Sequence, residues 1–349
     1  MNYPMYGGYY PNPAYDEAYQ REMVFKSEKR GLKKASNGLG FFVLTYYLVM
    51  QILAIILAII MREQMSSNIK GYYTYIFFIE IFAGIASSLI AVGFYRLLSG
   101  RRLSDMLKNS YVKPTTLVPL VFLGMGAAMV ANTAASMFDS NISVFGLNNT
   151  VDFSVSINSP LEVILYVVST AVMPALAEEL AFRGVFMNIM RKYGDAFAII
   201  SSSVIFGAMH GNTTQIIFAF LLGLIFAYID CKVNSILPSV LVHFLNNFYA
   251  VVMDMVQTEL GLSETMSSVI NIAVVAAFCL LGILSFIYLA NSDNSFFRLS
   301  NDDKNLFSDT DVLPLKKKFG FFFASPGIII CLCLFFAETV ANLIPGGIL

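Results

Sequence analysis

The sequence predicts an all-α fold, a polytopic transmembrane bundle of about eight or nine helices, and three observations carry that prediction. Across 349 residues, 57% are hydrophobic and only 13% charged, where soluble domains carry about a quarter charged residues. The mean hydropathy is +0.69. Finally, the lysines and arginines are distributed with strong asymmetry around the apolar runs. Such a composition excludes a soluble enzyme and gives no basic surface for nucleic acid.

Residues 1–39 are polar, rich at first in Tyr, Pro, Gly and Asn and then in mixed charge, and read as a disordered, basic cytoplasmic tail without a cleavable signal. Runs long enough to cross a bilayer, roughly 20 residues each, occur at 40–61, 73–95, 115–137, 160–190, 235–256, 268–290 and 319–343. Two shorter runs, 196–210 and 214–230, are separated by Gly211-Asn212-Thr213 and bring the total to nine if both cross. The chain thus divides into the tail, three N-terminal helices over 40–137, a core over 160–256, a helix at 268–290, a loop at 291–318 and a last helix within 319–349. That loop, with Asp302, Asp303, Asp309 and Asp311, reads as a solvated connector, and the last helix as an appendage.

With the N-terminus inside, all of the 22 lysines and arginines except Arg62, Lys70 and Arg183 fall on the inner side. The positive-inside rule therefore predicts a cytoplasmic N-terminus and an external C-terminus. Cys231, Cys279, Cys331 and Cys333 lack paired-ligand spacing and read as small packing residues.

Ionisable side chains inside a membrane are costly, and they mark functional sites. Ala177–Arg183 reads Ala-Glu-Glu-Leu-Ala-Phe-Arg at the inner end of an apolar run, and the chain's two histidines, His210 and His243, lie in later runs. Helical rise, about 1.5 Å per residue, puts Glu178, His210, His243 and Asn247 at a similar depth on three helices. Glu179 and Arg183, four residues apart with the acid first, suit an ion pair. Glu178 then faces elsewhere. Pro174, one turn earlier, removes a backbone donor and frees a carbonyl. His243 shares a face with Asn247, as Phe206 does with His210. Asp230 and Lys232 read as solvated at an inner turn, and Glu80, Asp254 and Glu338 as interface or packing residues near outer helix ends.

An acid, two imidazoles and a carboxamide suit hydrolysis of an amide by water. Glu178 is the candidate base, His210 its partner, and His243 with Asn247 the donors to the developing oxyanion. Glu179, Arg183 and Phe206 are supporting residues, the first two as a structural ion pair. Membrane-embedded acids and imidazoles also make proton relays, so a proton-coupled transporter is the rival reading, though relays ladder across the membrane instead of clustering at one depth.

Glu178-Glu179-Leu180-Ala181-Phe182-Arg183, Phe206-Gly207-Ala208-Met209-His210 and His243-Phe244-Leu245-Asn246-Asn247 resemble, in order, the EExxxR, FxxxH and HxxxN motifs of the CAAX-processing and bacteriocin-processing (CPBP, or ABI) intramembrane endopeptidases. The resemblance covers about 160–256. It implies a helical bundle with an intramembrane site open to the cytosol, Glu178, His210, His243 and Asn247 as catalytic positions, and a peptide or protein substrate that is lipidated or membrane-embedded, with membrane lipids around it. A CAAX prenyl protease-like activity is the expectation, with a non-catalytic bacteriocin immunity or binding protein on the same scaffold as an alternative and a bacterial cell membrane as the setting. Family members have been called metalloproteases. Glu178, His210 and His243 are the ligands if zinc is bound, with water in the open position. Asn247 is a poor zinc ligand and a good oxyanion donor, so a metal-free glutamate mechanism without cofactor is preferred.

Overall fold

The computed structural model describes residues 13–68, 71–107, 110–143, 155, 157–258, 261–297 and 312–343. Long helices dominate: α1 (Pro13–Ile60), α2 (Tyr72–Ser99), α3 (Pro114–Ser143), a rod α4 (Pro160–Tyr193), α5 (Asp195–Ala208), α6 (Thr213–Val233), α7 (Leu237–Thr258), α8 (Glu264–Ser292), α9 (Leu315–Phe323) and α10 (Pro326–Leu343). Eight of these are long and apolar enough to cross a membrane. Of the two short runs, α6 has 21 residues and is one of the eight, whereas α5 has 14. At about 1.5 Å per residue, α5 falls short of a hydrocarbon core about 30 Å thick.

Local chemistry sets the helix ends. Ser159 accepts from the Glu162 N–H at 3.2 Å ahead of Pro160, the capping arrangement that starts α4. Asn212 accepts from the N–H groups of Thr214 and Gln215, both at 3.1 Å, and starts α6. Asn234, at φ 51°, closes α6 in the left-handed region.

The tail departs from the expected disorder. From Pro13 it is already helix, continuous with the first span, while residues 1–12 lie outside the described part. The physical reason is packing that spacing within the tail does not reveal. Leu32 and Leu39 are fully buried, and Glu28 accepts from the backbone N–H groups of Val312 and Leu313.

Those bonds also correct the appendage reading of the last helix. Phe322, Ile328, Cys331 and Phe335 are buried in the same core as Phe182, Phe186 and Phe206 of the central helices. α10 crosses α1 where Gly40 and Gly327 meet backbone to backbone, and Asn37 accepts from the Gly327 N–H at 2.8 Å. A methyl group on either glycine would collide with main chain, which cannot retreat. Small residues permit such approach in membranes, where burial between lipid and protein supplies little driving force. The 291–318 connector is likewise not wholly solvated. Lys318 is buried, donating to the Tyr193 carbonyl at 2.8 Å, and residues 298–311 lie outside the described part.

One end of the bundle, the end that the charge pattern assigns to the cytosol, is laced by polar bonds. Arg191 donates to Asp195 at 2.9 Å and to Asn234 at 2.8 Å, Asn234 donates to the Ser110 hydroxyl at 3.0 Å, and Asn188 donates to the Met106 carbonyl at 2.9 Å. The ends of α4, α5 and α6 are thereby held together. All four cysteines are free thiols.

Candidate active site

The α4 rod is not a uniform α-helix. It widens to π-helix over Val168–Val172 and again over Leu180–Met187, on either side of a short α stretch, Met173–Glu179, that carries Pro174 and both acids. Wide turns of this kind concentrate at functional sites. Pro174 has no N–H to give the carbonyl four residues earlier, Thr170. The Asn247 amide supplies one instead, donating to the Thr170 carbonyl at 3.0 Å. The orphan expected from the proline is thus satisfied by a neighbouring helix, and the satisfying group is the carboxamide expected at the oxyanion.

At the centre lies Glu179, with no exposed surface. Its Oε1 accepts from Nδ1 of His243 at 2.8 Å and from Nη1 of Arg183 at 3.1 Å. Arg183 is 1% exposed. Its guanidinium carbon stands 4.3 Å from the Phe206 ring centroid and 5.3 Å from that of Phe226, and Nη2 donates to the Gly223 carbonyl at 3.4 Å. The charge is therefore neutralised by one carboxylate and flanked by two π faces, the means by which a buried cation becomes tolerable. The expected Glu179–Arg183 pair is present. The His243 bond was not anticipated, because the i,i+4 rule sees only partners on one helix.

His243 is oriented by that carboxylate. With Nδ1 directed at Glu179, Nε2 is left for other work, the arrangement by which a carboxylate fixes an imidazole's tautomer and aim. Phe226 packs on its ring at 5.5 Å between centroids. His210 is fixed differently, with Nδ1 against the Phe206 carbonyl at 2.8 Å and its ring edge-on to Phe206 at 5.1 Å. Here too Nε2 is the nitrogen left over. Phe206 thus touches both histidines and Arg183, which explains its place in the motif.

Glu178 is a different case. It is half-buried and makes no hydrogen bond or ion pair among the described residues. It lines a cavity of about 430 Å³ between α1, α2 and α4, whose walls include Tyr46, Gln51, Glu80, Thr170 and Pro174. A second cavity of about 490 Å³, between α2, α4, α6 and α7, is lined by Asn247, Gln215, Tyr166 and Asp254. Glu80 and Thr170 belong to both walls. The structure therefore brings Glu179, Arg183, Phe206, His210 and His243 into one linked cluster and ties Asn247 to α4 beside it. It does not bond Glu178 to either histidine. Among the described residues, no three His, Cys, Asp or Glu side chains gather closely enough to hold a metal ion.

Two further polar residues escaped the sequence reading. Asp230, expected to be solvated, is 1% exposed and accepts from the Ser239 N–H at 3.2 Å and from its hydroxyl at 2.5 Å. The signal available was the run Ser239, His243, Asn247, three polar residues at four-residue spacing on one face of an apolar helix. The other is Glu80, whose place in both cavities nothing in its local sequence signals.

Comparison with known proteins adds one positive finding. Residues 160–249 match the family model described as type II CAAX prenyl endopeptidase Rce1-like, a segment that contains Glu178, Glu179, Arg183, Phe206, both histidines and Asn247. Comparison with curated proteins and with solved structures finds no match. The matched segment, about a quarter of the chain, is similar to the Rce1-like type II CAAX prenyl endopeptidases and supports a protease-type function within a multi-pass bundle.

Proposed function

We propose that the protein is an intramembrane endopeptidase in which Glu178 activates water to hydrolyse a peptide bond without a metal. The observation that carries this reading is the contrast between the two adjacent acids. Glu179 is committed to His243 and Arg183, whereas Glu178 is unpaired and lines a cavity large enough for a peptide segment. A general base must reach water, and of these two acids Glu178 is the one that lines a cavity.

In the proposed reaction the carbonyl of the substrate lies in the cavity, beside Glu178. The carboxylate takes a proton from water as its oxygen attacks the carbonyl carbon, the carbonyl oxygen becomes an oxyanion, and the proton then passes to the departing amine as the C–N bond breaks. His243, as the imidazolium that gives Nδ1–H to the Glu179 carboxylate and keeps Nε2–H free to donate, and the second N–H of the Asn247 amide are the donors assigned to the oxyanion. His210 presents Nε2 to align the attacking water. The substrate is a peptide or protein, and its lipidation, in the manner of CAAX proteins, is part of the proposal. The reading assigns no step to a metal, and it is supported by the absence, among the described residues, of any group of three or more His, Cys, Asp or Glu close enough to hold one.

The test compares Glu178→Gln with wild type in membranes from matched cultures, scoring proteins that shorten only in wild type. Loss of every such cleavage in the variant supports the assignment. Undiminished cleavage overturns it, and ion-dependent uptake by liposomes holding the purified protein would favour the transporter reading instead. Full activity after exhaustive chelation is expected; loss restored by zinc would return the metal mechanism.

A further inference from the structure

We infer that Glu338 and Asn342 of α10 are positioning residues for His210, so that the last helix, outside the matched segment, is a working wall of the site. The inference rests on the assignment of His210 to the proposed hydrolysis. Its geometric half stands independently.

His210 sits on the turn after α5, where its N–H donates to the Gly207 carbonyl at 3.1 Å. The following residue, Gly211, has φ +63°, a conformation that side chains other than glycine rarely adopt. Asn342 donates to the Gly211 carbonyl at 2.9 Å. The Glu338 carboxylate fills the place a Gly211 side chain would take: a Cβ there would stand 2.9 Å from Glu338 Cδ and 3.1 Å from Oε1. Phe335, Glu338, Thr339 and Asn342 follow the i, i+3, i+4, i+7 spacing of one helix face. Phe335 anchors that face edge-on to Tyr47 of α1, with ring centroids 5.1 Å apart.

The turn is thus gripped from one side by α10, and from the other by the Phe206 carbonyl on His210 Nδ1. Glu338 forms no ion pair among the described residues; it is hydrogen-bonded by the Tyr47 hydroxyl of α1, and its Oε2 is buried without a partner. A carboxylate retained in a membrane span at that cost marks function, not packing alone. It lies against Gly211, the residue after His210. Restraining that turn holds the imidazole where it serves the reaction, and an error of about 1 Å at such a group costs on the order of a hundredfold in rate.

The chain has only two histidines, so carbethoxylation by diethyl pyrocarbonate, followed by mass spectrometry of the full-length protein in detergent micelles, reads them separately. Asn342→Ala and Glu338→Ala are expected to raise the labelling rate of His210 by about threefold or more through local opening, with His243 unchanged. The isosteric Glu338→Gln keeps the shape that fills the Gly211 site and is expected to stay near wild type. In the peptidase assay the alanine variants are expected to lower kcat by about tenfold or more with little change in KM. Val340→Ala, on the exposed side of α10, leaves both readouts unmoved. Unchanged His210 labelling in both alanine variants overturns the inference, as does a parallel rise at His243, which would mean general loosening. Labelling does not depend on turnover: if it shifts as expected while Glu178→Gln still cleaves, the assignment of Glu178 as the base fails and the grip on His210 stands.

Discussion

Two helix contacts in this molecule are made by opposite means. Where α7 meets α4, the join is polar and buried, running through His243–Glu179–Arg183 and Asn247–Thr170. Where α8 meets α3, the join is glycine on glycine: a Cβ on Gly126 would stand 3.1 Å from the Gly282 Cα, and one on Gly282 the same distance from the Gly126 Cα. The remainder of α8 turns apolar side chains such as Ile272, Leu280 and Ile283 outward. Close packing alone is enough to hold helices together in a membrane. The polar join is therefore not a requirement of assembly, and its cost is explained by the chemistry assigned to it.

Substitutions sharpen that contrast, and the largest effect is expected at Glu178. Glu178→Gln should lower peptidase turnover by about 10²- to 10⁴-fold, the contribution of a positioned base, while the thermal midpoint in detergent stays within error. A parallel fall in both would assign Glu178 to the scaffold. Next comes Arg183→Met, which leaves the Glu179 carboxylate buried without its cation and should cost about 3–5 kcal/mol of stability, measured by unfolding in mixed micelles, with turnover lost as well. Gly282→Val overpacks the α3–α8 crossing and should cost about 1–3 kcal/mol. The protein that remains folded should keep wild-type KM and kcat, because no site residue lies on that contact. If turnover falls instead, the two joins are coupled. A stability cost in the same range, about 1–3 kcal/mol for stranding the Thr170 carbonyl, is expected from Asn247→Ala. Asn247→Asp should restore none of it, since a carboxylate has no N–H to give.

The pattern of what could be read from the sequence follows from range. Transmembrane runs are local, so α2 and α8 appear within a few residues of their expected limits. The α1 extension back to Pro13 does not, because the residues that order it, Val312 and Leu313 bonded to Glu28, lie far along the chain. The same holds for α10, whose burial depends on a match between Gly40 and Gly327 that neither segment announces alone. At the site, one-helix spacing finds Glu179 with Arg183 and Phe206 with His210. It overlooks His243 on Glu179, 64 residues away, since one carboxylate oxygen can serve two donors and the spacing rule supplies only the nearer. Equal depth suggested a bonded Glu178 and His210. Depth constrains height in the bilayer and leaves direction around each helix free, and Glu178 turns toward α1 and α2 instead.

The proline in α4 has a mechanical consequence. Pulling α7 away from α4 would leave the Thr170 oxygen facing hydrocarbon without a donor, at a penalty of several kcal/mol, so these two rods behave as one rigid jaw. On the proposed protease reading, admission of a polypeptide to Glu178 falls to the opposite side, where α1 and α2 border the chamber through Tyr46, Gln51 and Glu80 with no comparable latch on Glu178 among the described residues. The doorway of the proposed enzyme is thus bordered by two helices that carry no motif.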